Sequence, residues 1–87
     1  MRANEVFAWN LRRIRVSQGT SQENLAIDAA LDRTYVSRIE RGFENPSLNT
    51  IERLAGALNV ELTTLLTPPS PGAPRPSGLL GGRKARK

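Results

Sequence analysis

Eighty-seven residues, 38% of them hydrophobic, allow one small domain with a modest core. The chain has no Cys and no His, which removes a thiol nucleophile, a zinc cluster, a His general base and a stapling disulfide. The formal net charge of +5 belongs wholly to the end of the chain: residues 1–66 hold eight Arg and eight acids, whereas Arg75, Arg83, Lys84, Arg86 and Lys87 follow Glu61, the last acid. The location of charge, and not the total, therefore bears on what the folded part binds. No enzyme, cofactor or metal site is expected. Met1 to Asn10 mixes charges with single apolar residues, unlike a signal peptide, and no apolar run approaches a membrane span, so a cytoplasmic protein without membrane contact is expected.

Asn4 to Ser17 reads as a first helix. Phe7, Leu11 and Ile14 recur at i, i+4 and i+7, and Gly19 supplies a C-terminal cap. Arg12, Arg13 and Arg15 surround this stripe, either as a solvated face or as phosphate contacts. Trp9 lies off the stripe and reads as a half-buried packing residue or as an exposed anchor for a partner.

Ser21 is a good N-cap for a second helix, with Glu23 in its first turn and Leu25, Ala26 and Ala29 inward. At that N-terminus the long amide of Gln22 reaches a phosphate, or is an ordinary exposed residue. Ala30 and Leu31 lead to Asp32, the expected N-cap of a third helix. In it Val36 and Ile39, with Leu31 before them, point inward, and Arg33, Thr34, Ser37, Arg38 and Arg41 share the opposite face. That face carries three guanidinium groups and two hydroxyls and nothing apolar to bury. It suits the major groove of DNA, where Arg binds guanine O6 and N7 bidentately and Ser or Thr contacts base edges.

Gly42 closes the third helix, and Phe43 to Pro46 form a loop in which Asn45, preceding proline, is held out of helical geometry. Ser47 caps a fourth helix with Leu48, Ile51, Leu54, Ala55 and Leu58 as its apolar stripe, closed by Asn59. Leu62, Leu65 and Leu66 predict a short fifth helix from Glu61, with Val60 packed between the two. Five helices and no alternating β pattern predict an all-α five-helix bundle over residues 1–66. Seven of its eight arginines precede Gly42, so the bundle is expected to be electrically polarised. From Thr67 the composition changes: five Pro and four Gly in 21 residues predict a flexible arm over 67–87, whose RKARK end adds non-specific phosphate attraction or only solubility.

NLRRIR, then GTSQENLA, RTYVSRIERG and NPSLNTIERLAGAL, in this order, resemble the phage-repressor type of helix-turn-helix protein, the xenobiotic-response-element family. RTYVSRIERG with ENPS is particularly similar to controller proteins of restriction-modification systems. The resemblance covers about Phe7 to Leu66. It implies a lambda-repressor-like fold whose third helix enters the major groove while the second crosses the backbone. Carried over by position, Arg33, Thr34, Ser37 and Arg38 are the base-reading set, and Gln22, Tyr35, Arg41 and Asn45 are backbone contacts; Arg12, from the charge of the first helix, is a further candidate for the backbone set. The family also pairs the Arg15 and Glu40 positions, tying the first helix to the reading helix. Where the family usually has glycine in the turn, this chain has Ala30, and a non-glycine residue in left-handed geometry costs roughly 1–2 kcal/mol.

The implied function is a non-enzymatic transcriptional regulator, repressor or controller, that binds a palindromic operator as a homodimer. Leu62 and Leu65 are candidate interface residues that also read as core. The rival expectation is a helix-turn-helix used as a protein-interaction module, antiactivator or antitoxin, engaging a partner through Trp9, Phe43 or the tail.

Overall fold

The helix-forming stretches of this chain are separated by short reversals in the computed structural model, which describes residues 1–70 and residue 72. The elements are α1 (Ala3–Ser17), α2 (Gln22–Ala29), α3 (Arg33–Glu40), α4 (Leu48–Leu58) and α5 (Leu62–Leu66). No strand occurs among the described residues. Three N-termini are closed by side chains: Ser21 Oγ accepts from the Asn24 N–H, Asp32 Oδ1 from the Thr34 N–H, and Ser47 Oγ from the Thr50 N–H. At α1 the Glu5 carboxylate instead accepts from the Arg2 backbone N–H.

Four helix ends share one chain reversal. Gly19, Ala30, Gly42 and Asn59 stand at φ between 57° and 78°, and the residue after each donates its N–H five residues back, to Arg15, Ala26, Arg38 and Ala55. This is the Schellman closure, which a left-handed residue makes available.

The apolar stripes converge on one core of Phe7, Leu11, Leu25, Val36, Ile39, Leu54, Leu58 and Leu65 among others. Helix α1 packs on α3 and α5, α2 packs on α3 and α4, and α4 packs on α5. Leu31, Tyr35 and Val60 pack against the core from its margin. Two expectations are corrected here. Leu48 leaves the stripe and is 71% exposed, because it is the first residue of α4, beyond the reach of the core that receives Ile51. Leu65 is 0% exposed and belongs to the core, so it is not a contact for another subunit.

A helix of five residues does not hold itself together in water. Beyond burial of Leu65, α5 is fixed by Asn10, a buried α1 residue whose Nδ2 donates to the carbonyls of Leu65 (2.9 Å) and Thr67 (2.7 Å). Most of the expected tail, residue 71 and residues 73–87, lies outside the described residues.

Candidate nucleic-acid interface

Asp32 starts α3 and aims its first residues outward. Arg33, Thr34, Arg38 and Arg41 are exposed and Ser37 is half-buried, all on the face opposite buried Val36 and Ile39. Tyr35 is half-buried against the core. Beyond Gly42 the chain folds back so that Glu44 Oε2 accepts from Arg38 Nε at 2.7 Å, and the guanidinium carbons of Arg38 and Arg41 lie 5.8 and 5.1 Å from the Phe43 ring centroid. Asn45 is exposed at the tip of this loop.

Helix α3 is fixed from behind by a buried ion pair. Arg15 Nε and Nη2 donate to Glu40 Oε2 and Oε1 at 2.6 and 2.9 Å, with the two side chains only 4% and 0% exposed. The third nitrogen, Nη1, donates to the Thr20 carbonyl, and Gln22 Nε2 donates to Glu40 Oε1 at 3.0 Å. One ion pair and its hydrogen bonds thus join α1, the turn after it, the start of α2 and the end of α3. Gln22 spends one amide hydrogen on this network, which sets the direction of its side chain at the α2 N-terminus.

The turn between α2 and α3 has its own clamp. Ala30 adopts φ 59°, ψ 46°, and its carbonyl with that of Ala29 accepts from Arg53 Nη2 (2.5 Å) and Nε (3.1 Å), reaching across from α4. A guanidinium at a helix C-terminus meets both unpaired carbonyls and the negative end of the helix dipole.

These features, a capped helix pair joined through a left-handed turn with a polar cationic outer face, have counterparts among known proteins. Residues 11–65 match the helix-turn-helix family. The chain belongs to that family. It is 52% identical over 64 residues to a hypothetical transcription factor from Neisseria meningitidis serogroup B, covering 74% of this chain and 60% of that protein. The crystal structure of a hypothetical transcription factor, NHTF, from Neisseria superposes with a TM-score of 0.76 at 48% identity over 78% of each chain. Control protein C.BamHI from Bacillus amyloliquefaciens is 47% identical over 62 residues, 70% of this chain and 76% of its own. The restriction-modification controller protein C.Esp1396I, solved as a tetramer in complex with its natural 35 base-pair operator, matches with a TM-score of 0.70 at 31% identity, over 75% of this chain and 86% of that one. These relatives are regulators and control proteins rather than enzymes.

Within this helix-turn-helix chain, two sets of residues stand apart from the outer face of α3. Arg12 is half-buried with its Nε enclosed and unpartnered among the described residues, beside Trp9, whose Nε1 is likewise unpartnered. Both line a groove of about 410 Å³ between α1 and the end of α3, together with Glu5 and Arg41. On α5, Leu62 and Leu66 are 37% and 39% exposed and, four residues apart, share the outer face that Leu65 turns away from. Sequence reasoning missed Arg53, Glu44 and Asn10. A lone Arg, Glu or Asn at helical spacing carries no mark of its partner, because each partner lies 6 to 57 residues away and is met only after folding.

Proposed function

We propose that this chain is a sequence-specific regulator of transcription that reads double-stranded DNA with α3, and that two copies bind a palindromic operator. The observation that carries this reading is the outer face of α3: Arg33, Thr34, Ser37 and Arg38 stand away from the core at the start and middle of the helix, on a scaffold shared with operator-binding relatives. In such folds the N-terminal part of the second helix of the pair meets base edges. Arg41, Asn45, Gln22, Tyr35 and Arg12 are assigned to the sugar-phosphate backbone, which fixes register without reading sequence. The second copy is assigned to the α5 face bearing Leu62 and Leu66, since Leu65 is withdrawn into the core.

A protein-binding role through Phe43 is the weaker reading. Its ring, 60% exposed, is already matched by the two guanidinium groups beside it.

Arg33→Ala and Arg38→Ala are each expected to weaken binding to the preferred site by about 1–3 kcal/mol and to relax base preference at one position. Fluorescence anisotropy on that site and on a random duplex of equal length measures both. An equal loss on the two DNAs would reduce the residue to a phosphate contact.

A further inference from the structure

We propose that Glu44 is a positioning residue for base reading: with Phe43 it brackets the Arg38 guanidinium so that its two terminal nitrogens face outward for a guanine edge. The proposal rests on the DNA-binding reading above. A guanidinium has five N–H donors in a planar fork. Glu44 occupies only the Nε edge, at 2.7 Å, and the described residues offer the two terminal nitrogens no hydrogen bond. Those two nitrogens are sufficient for the bidentate contact with O6 and N7 of guanine. The ion pair and a base contact are therefore compatible, and Glu44 does not have to leave when DNA arrives.

The bracket is built by the end of α3. Gly42 reverses the chain, the Phe43 N–H returns to the Arg38 carbonyl at 3.0 Å, and this places the next two side chains against the arginine they follow. Phe43 meets the guanidinium groups of Arg38 and Arg41 within the distance of a cation–π contact, so one ring limits the swing of both. The pair is no stability device: its side chains are 46% and 31% exposed, and ion pairs so open to water contribute little to folding. Its effect lies in geometry, since a long side chain already fixed loses less freedom on binding. A carboxylate on a DNA-facing surface also repels phosphates. Glu44 thus acts in opposite directions on the preferred site and on DNA at large.

The test uses the full chain carrying Glu44→Ala, with anisotropy titrations on the preferred duplex, on a set of its single base-pair variants, and on a random duplex. Discrimination at one G·C pair is expected to fall roughly tenfold, within the range of losing one well-made bidentate contact. Affinity for the random duplex rises about two- to tenfold as one negative charge is removed, and the melting temperature stays unchanged. In an Arg38→Ala background, Glu44→Ala should cause no further loss of discrimination. Full discrimination retained by Glu44→Ala, or an equal gain on preferred and random DNA, overturns the bracket and leaves the regulator reading standing. A parent chain with no base preference at all overturns both.

Discussion

Ala30 holds φ 59° and ψ 46°, a conformation in which a β-carbon crowds the following carbonyl oxygen and costs roughly 1–2 kcal/mol. The residue is kept there because its neighbours over-determine the turn: the Leu31 N–H closes on the Ala26 carbonyl at 2.8 Å, and Arg53 binds the carbonyls of Ala29 and Ala30. Ala30→Gly should therefore stabilise the domain, by up to about 1 kcal/mol once the greater freedom of unfolded glycine is subtracted. Urea denaturation measures this, and a loss of stability would mean that the turn carries no strain. The departure itself was visible in the sequence as an alanine at a turn position where the family resemblance implies glycine. What relieves the neighbouring carbonyls was not, since Arg53 is 23 and 24 residues distant from its acceptors.

At the scale of elements, the caps and stripes were legible because they depend on near neighbours. Ser21, Asp32 and Ser47 each cap the helix that follows, and Gly19, Gly42 and Asn59 end the helix that precedes. The misplacement of Leu48 has the same origin: periodicity places it beside Ile51, but only the packed neighbours decide how far along α4 the core extends. The tie between elements is the Arg15–Glu40 pair, and its geometry sets a size of effect. Both charges are withdrawn from water, so deleting one leaves the other buried and uncompensated, at a cost of about 3–5 kcal/mol. Against a total stability on the order of 5–15 kcal/mol, Glu40→Ala should unfold at much lower urea concentration. Replacing both residues with apolar side chains of similar size should cost less than this single change, as a double-mutant cycle would show. A loss below about 1 kcal/mol for Glu40→Ala would contradict the buried network as described.

At the scale of the whole molecule, the described residues present a polar cationic face, made by α3 and Arg41 after it, and a separate apolar strip on α5. The five-helix architecture was readable from spacing alone, as was the set of side chains on the outer face of α3. The bracketing of Arg38 by Glu44 was not, because the reversal at Gly42 brings together residues that a helical wheel places in different elements. If two copies associate through the Leu62 and Leu66 face, their reading helices should meet half-sites about 34–36 Å apart on one side of B-DNA. Selection from a random pool of duplexes with the purified chain, at two salt concentrations, tests the central claim that the outer face of α3 reads bases. The account predicts an enriched inverted repeat with half-sites one helical turn apart, bound more weakly as salt rises. Recovery of duplexes with no shared sequence, all held with equal strength, would contradict it.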